Sequence, residues 1–317
     1  MWAYILRRLL YNIPVYLGII ALLMVALRVN DPVWGFLGKN ADQEAYEVKK
    51  HAMGLDRPFH EQYIGFLGEL ATFDFERESW TQQGRTVGDL VADSIGPSLA
   101  ITVPAMALTT LVALVIAILS AYTRGRLPDK FMMVSAVLGM SISFLVYIIF
   151  GQYWGAYVLN DRLGTEVFAI QGYESGLANW KHYCLLPVLI STIVAVGYDT
   201  RFYRAVMVEE TNRDYIVTAR AKGAGKGRIM FVHMLKNAMI PIVTRVMITM
   251  PFLVMGSLLL EVYFNIPGMG RALYKAISEN DFPVTEVLVA LFAGVFILTV
   301  ILTDVIYALV DPRVRLQ

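Results

Sequence analysis

Charge is what this chain has least of. Asp, Glu, Lys and Arg make up 17% of its 317 residues, where a soluble domain carries about 25%. Cysteine is nearly missing: Cys184 stands alone, so no intrachain disulfide can form. The four histidines, His51, His60, His182 and His233, fall in loops or at loop edges, far apart in sequence. No HExxH motif and no Cys/His cluster gathers them, which argues against a metal centre. No Ser-His-Asp spacing suggests hydrolysis, so an intramembrane enzyme is a poor reading. A net charge of +1 supplies no basic field for nucleic acid.

What the chain does have is apolar residues in blocks. They make up 57% of it, with a mean hydropathy of +0.55. Residues 9–27, 98–122 and 131–160 hold no charge at all, and 183–198 is a shorter clean run. Residues 237–260 are interrupted only by Arg245, and the run after Glu286 only by Asp304. A bilayer asks for about 20 apolar residues in a row. Each backbone polar group in hydrocarbon must pair within its own segment, so six helical spans are expected. The first block follows Arg7-Arg8 as a secretory signal would. It is too long for one, and Leu27-Arg28-Val29 offers no small-residue cleavage site, so it is expected to stay as a span.

Lysine and arginine favour the cytoplasmic side. With the N-terminus inside, the inner segments are 1–8, 123–130, 201–238 and 311–317. They hold more than half of the 27 basic residues although the outer segments are about twice as long. Both termini are therefore expected in the cytoplasm. Two loops exceed simple connectors: an outer one at about 29–97, with an amphipathic helical part over 41–70, and an inner, basic one at about 201–236. Loops of that length are usually functional.

The inner loop reads as two short helices. Asp214 suits an N-cap, Gly223 ends the first helix, and a second runs over about Gly227 to Lys236 with Ile229, Val232 and His233 on one side. Such a hinged pair can dock on a soluble partner and pass a rigid-body movement to the spans. Gly223-Ala-Gly-Lys-Gly227 imitates a phosphate loop. A Walker A motif, however, needs Ser or Thr after its Lys and a preceding strand, and neither is present. No nucleotide site is expected in this chain.

The stretch Asp214-Tyr-Ile-Val-Thr-Ala-Arg-Ala-Lys-Gly223, followed by His233-Met-Leu-Lys-Asn-Ala-Met-Ile-Pro241, resembles the EAA coupling loop of ATP-binding-cassette (ABC) importer permeases. It is most similar to the dipeptide, oligopeptide and nickel permease family. Tyr4-Ile-Leu-Arg-Arg-Leu9, Gly54-Leu-Asp-Arg-Pro58, Glu261-Val-Tyr-Phe264, Pro267-Gly-Met-Gly270, Asp281-Phe-Pro-Val284 and Asp311-Pro-Arg-Val-Arg315 resemble other segments of that family, in order along the whole chain. There are departures. Val217 replaces the general motif's glutamate, Asn30-Asp31-Pro32 is a reduced PGDP element, and Phe73-Asp74-Phe75-Glu76 lacks the glycines of Gly-Asp-Leu-Gly.

The resemblance implies an all-α type I importer permease: one membrane domain over 1–317, in the bacterial cytoplasmic (inner) membrane. It implies a second, homologous permease as heterodimer partner, two cytoplasmic ATPases carrying the ATP and Mg, and an extracytoplasmic solute-binding protein. It also implies a peptide substrate moved by alternating access. Asp214, Tyr215, Thr218, Ala219, Arg220, Ala221 and Gly223 would sit at the ATPase contact. The competing reading is a self-contained channel or secondary transporter. Within the spans, Arg245 and Asp304 lie at similar depth and form a candidate ion pair, with Asp199 and Arg201 a further possible set. Gln152 is a candidate for the translocation path, and Gly151-Gln-Tyr-Trp-Gly155 has the spacing that lets helices approach closely.

Overall fold

A computed structural model describes the backbone of residues 2–29, 31–37, 42–251 and 255–310; the side chains of 2–6, 9 and 304–310 are not among those described. Among the described residues the structure is helical, with one isolated bridge, Glu78 to Thr86, as its only extended pairing. Five helices are long and apolar enough to cross a membrane, and a bent pair makes up to six. The all-α polytopic reading therefore stands. The helices are α1 (Trp2–Leu27), α2 (Gln43–Ala52), α3 (Phe59–Thr72), α4 (Val87–Tyr122), α5 (Leu127–Ser141), α6 (Phe144–Leu163) and α7 (Leu177–Tyr183). They continue as α8 (Leu185–Glu210), α9 (Asp214–Ala221), α10 (Lys226–Thr249), α11 (Leu258–Tyr263), α12 (Met269–Ser278) and α13 (Phe282–Val310). Leu22, Leu111, Ile193 and Leu298 are each more than half exposed, an outer surface suited to lipid.

The chain divides into two units, Met1–Gly96 with Pro267–Gln317, and Pro97–Ile266. In the first, α1 packs along α13. Tyr16 donates its hydroxyl to the Ala290 carbonyl at 3.1 Å, and Tyr63 on α3 donates to the Leu17 carbonyl at 2.9 Å. The expected amphipathic segment 41–70 forms two helices. Asp42 caps α2 by accepting from the Ala45 N–H at 2.9 Å, and Gly54, at φ +67°, turns the chain before α3.

Two buried acids anchor the loop after α3. Glu286, 3% exposed on α13, takes Arg77 at 3.3 Å and lies 3.7 Å from Arg28. Arg77 also reaches Glu69 at 2.7 Å and lies over the Phe66 ring. Burial pushes the Glu69 carboxyl above its ordinary range, although Arg77 pulls the other way. Asp281, 1% exposed, accepts from the Trp80 N–H at 3.3 Å, the Thr81 N–H at 3.2 Å, the Thr81 hydroxyl at 2.8 Å and the Ser79 hydroxyl. It stands immediately before α13, whose first turn contains Pro283, where a missing N–H costs nothing. The Asp281-Phe-Pro-Val284 segment is thus a joint between the outer loop and the last span.

In the second unit the expected third span, 131–160, is not one helix. α5 and α6 meet at 91°. Ile142 (φ −90°, ψ 133°) and Ser143 (φ −60°, ψ 139°) are extended. The break leaves carbonyls without helical partners, and the Tyr147 hydroxyl takes up that of Gly139 at 3.0 Å. A run without charge cannot reveal such a bend, because composition is blind to backbone angle. The fifth apolar block also differs from a single span: α10 ends at Thr249, and Gly256 at φ +71° precedes α11. A Cβ on Gly256 would overlap the Glu261 carboxylate. Ser98 donates to that carboxylate at 2.7 Å.

Replacing Asp281 by Ala is expected to strand the buried Ser79 hydroxyl and the half-buried Thr81 donors, at about 1–3 kcal/mol for the former and less for the latter. The readout is thermal unfolding in detergent. Asp281→Asn, which keeps one acceptor oxygen, is expected to lose less.

Candidate functional site

The coupling loop begins where α8 leaves the apolar block. α9 starts at Asp214, so Asp214 occupies the first helical position and Arg213 the cap, not Asp214 as expected. A carboxylate in a first turn is favoured by the helix dipole. Arg213 instead pairs with Glu209 at 2.7 Å. The helix ends in a Schellman arrangement. The Ala224 N–H reaches the Ala219 carbonyl at 3.0 Å and the Gly223 N–H the Arg220 carbonyl at 2.9 Å, with Gly223 at φ +78°. That conformation costs a side-chain-bearing residue about 1–2 kcal/mol, which explains the glycine.

α9 has two faces. Ile216 and Ala219 are buried in a cluster with Ala113, Ala117 and Ala121 of α4, Tyr203 and Met207 of α8, and Ile229, Met234 and Ile242 of α10. Ala219, expected at the ATPase contact, is therefore a packing residue of this chain. Tyr215 is half-buried and donates its hydroxyl to Glu210. Burial, and then that bond, raise its pKa. Asp214, Thr218, Arg220, Ala221 and Gly223 are exposed, with Val217 beside them at 64% exposure. The outward face is thus 214, 217, 218 and 221. Helical periodicity from Ile216 and Ala219 carried that signal, and Val217 was overlooked because it departs from the motif.

The second helix of the loop starts at Lys226. Its Nζ donates to the Tyr122 carbonyl at 2.7 Å and sits 4.2 Å above the Tyr122 ring. The lysine of the false phosphate loop is a clamp on the end of α4. A wide π-helical turn from Ile229 to Met234 then shifts the helix phase. Ile229, Met230, Met234 and Ala238 point inward, and Val232 is exposed. This differs from the expected 229–232–233 face because the π-helical turn widens the spacing between inward-facing residues.

Beneath the loop, Asp129 of α5 is held by Arg204 of α8 through two bonds of 2.8 Å, by the Ser120 hydroxyl and by the Gly125 N–H at 2.9 Å. This bidentate pair fixes the start of α5 to α4 and α8.

Higher in the second unit, Arg245 places its Nε 3.1 Å from Asp199. Asp304 was the expected partner, but its side chain lies outside the described residues. Asp199 lines a cavity of about 290 Å³ together with Thr102, Thr109, Ser191, Thr249 and Ser257. Gln152 donates to the Ile170 carbonyl at 3.1 Å and, at 3.0 Å, to that of Tyr263 at the end of α11, and it is not among the residues lining that cavity. Gly151 and Gly155 face Ile190 and Leu186, where a Cβ would overlap either side chain; α6 and α8 approach closely there. Among the described residues no group of His, Cys, Asp and Glu could hold a metal ion.

Asp129→Ala is expected to cost about 1–3 kcal/mol, because Arg204, 24% exposed, loses its carboxylate and keeps only the Ser120 hydroxyl at 2.9 Å. Asp129→Ala with Arg204→Ala together should cost less than the two single changes summed. A thermal double-mutant cycle in detergent checks this.

Residues 113–316 match the family model described as "Binding-protein-dependent transport system inner membrane component". The chain is 30% identical to the "Probable peptide ABC transporter permease protein" of Sinorhizobium fredii, over 99% of this chain and 100% of that one. It is 32% identical to the "Glutathione transport system permease protein" of Escherichia coli, over 98% of each, and equally to that of Shigella boydii. The chain therefore belongs to the family of inner membrane components of binding-protein-dependent transport systems, and it is a permease subunit.

Proposed function

We propose that this permease carries peptides, including small ones of the glutathione kind, into the bacterial cytoplasm as one half of a heterodimeric ABC importer. The observation that carries this is α9. It is a short helix with one face locked into the ends of α4, α8 and α10 by Ile216 and Ala219, and an opposite face of Asp214, Val217, Thr218 and Ala221 left exposed. A helix held in that way moves with the spans when something pulls on its outer face. The relatives' names supply the peptide and the ABC context.

In this reading two ATPases bind below α9. Their ATP-driven closure shifts α9, and the shift reaches α4, α8 and α10 through the shared core. The basic loops, 201–236 among them, lie in the cytoplasm. A solute-binding protein delivers substrate on the other side, near the loop of residues 29–97. The chain supplies no ATPase chemistry itself.

Affinity purification of the tagged chain from native membranes in mild detergent, with mass spectrometry, tests the assembly. A second permease and one or two Walker-motif ATPases are the expected companions. Recovery of a stable chain alone would favour a self-contained transporter and overturn the reading. Gly223→Pro cannot adopt φ +78° and removes a capping N–H. Val217→Asp puts a charge on the exposed apolar position without touching the core. Both variants are expected to reach the membrane at normal levels and to lose uptake by at least about tenfold, as disrupted interface centres do. Normal uptake by both would remove the lever.

A further inference from the structure

The cavity lined by Asp199 has a chemistry that the coupling mechanism does not use. It lies between α4, α8 and α10, at the depth of the spans. Its polar lining is hydroxyls, Thr102 and Thr109 two turns apart on α4, Ser191 on α8, Thr249 at the end of α10 and Ser257 before α11, with one carboxylate, Asp199. Ser191 and Asp199 share a face of α8 at a spacing of eight residues. Thr102 and Thr249 already donate to the Ser98 and Val246 carbonyls at 2.8 Å each, so toward a peptide their oxygens serve as acceptors for N–H groups. At about 290 Å³ the cavity falls at the lower edge of ligand-sized pockets, about 300–1,000 Å³.

The ion pair beside it is under-used. Arg245 meets Asp199 through Nε alone, at 3.1 Å. Its two Nη groups have no hydrogen-bond partner among the described residues. Its side chain remains 36% exposed against 13% for Asp199, and it rests 5.8 Å from the Phe202 ring. A structural pair would close the guanidinium fork on the carboxylate, as Arg204 does on Asp129. Here the fork is open, and the geometry suits bidentate capture of a second carboxylate.

We infer that Asp199 and Arg245 are exchange partners for the two termini of a peptide in transit: Asp199 takes the α-ammonium, Arg245 swings its fork to the α-carboxylate, and the hydroxyls hold the peptide groups between. This rests on the peptide-permease reading and names the substrate class, a small zwitterionic peptide. The physical advantage is charge conservation. An unpaired charge at this depth is expensive, most of all for Asp199, whose side chain is only 13% exposed. When a zwitterion arrives, each protein charge trades one opposite charge for another, and none is stranded. When the peptide leaves, the pair closes again and the empty site stays neutral. A peptide with a blocked terminus cannot complete the exchange, because it would leave Asp199 or Arg245 without a partner.

The test uses the complete transporter with its binding protein in proteoliposomes. Uptake of trialanine is compared with that of N-acetyl-trialanine and trialanine amide, alongside ATPase turnover stimulated by the binding protein. The binding protein is the same throughout, so a change in ratio between wild type and variant belongs to the permease. Asp199→Asn is expected to lower the free-to-acetylated uptake ratio by about tenfold, and Arg245→Gln the free-to-amidated ratio by a similar factor, the scale of losing one charged hydrogen-bond partner. Stimulated ATPase activity should persist in both. A pair that only braces α8 against α10 would depress all peptides alike and leave both ratios unchanged, which overturns the inference. If Asp199→Asn fails to reach the membrane, the Arg245→Gln ratio decides alone. Failure of the wild-type complex to carry trialanine at all would instead sink the peptide reading beneath it, and the inference with it.

Discussion

A helix that breaks inside hydrocarbon has no water to complete its hydrogen bonds. That constraint accounts for much of this structure. Each interruption is met by a side chain or a distant backbone group. The Tyr147 hydroxyl satisfies the Gly139 carbonyl at the α5–α6 bend. Gln152 bonds the Tyr263 carbonyl at the end of α11, where the Gly172 N–H also takes the Phe264 carbonyl at 2.7 Å. The Trp180 indole donates to the Ala100 carbonyl within α4 at 2.8 Å, and Lys226 covers that of Tyr122 at its end. Irregular backbone at membrane depth survives only under such cover.

The same constraint decides what could be read from the sequence. Residues 98–122 and the run after Glu286 announce spans because length and lack of charge are enough. The lever was legible from Asp214 and Gly223, since a glycine at a helix end has a specific backbone role. The bend at Ile142 was not, because an apolar residue serves equally in a straight or a broken helix. Nor was the inward turn of Met230 and Met234, which depends on one π-helical turn that no residue type demands. The partners of Gln152 were not legible either. The carbonyls it serves are eighteen and more than a hundred residues away in sequence, so nothing local could have disclosed them. Arg245 stands out in the sequence as a charge inside an apolar run, but depth along a helix does not give azimuth, and Asp199 is the described group it meets.

The coupling loop is rigid where it must transmit and open where it must bind. Its rigidity comes from apolar packing of Ile216 and Ala219 and from the Asp129–Arg204 joint below. A packed core is not continuously deformable, so in the proposed mechanism a force on the outer face of α9 would displace whole helices. The Schellman bend at Gly223 supports this. It sets the angle between α9 and α10 with two backbone bonds, leaving little slack for a pull to be lost in.

The two ion pairs of the second unit are instructive side by side. Asp129 is saturated, with both oxygens engaged by one guanidinium and then by a hydroxyl and an N–H. Releasing it would strand several donors at once, so it can only be a joint. Asp199 is held through a single contact by an arginine that keeps the rest of its fork open. The cost of opening a buried pair is set by what replaces the lost partner. For Asp129 nothing nearby can. For Asp199 a cavity lies alongside, lined with groups suited to a peptide. Charge placement thus separates two kinds of pair: the saturated one ties α4, α5 and α8 together, and the unsaturated one stands beside the cavity where the exchange with a charged solute is proposed.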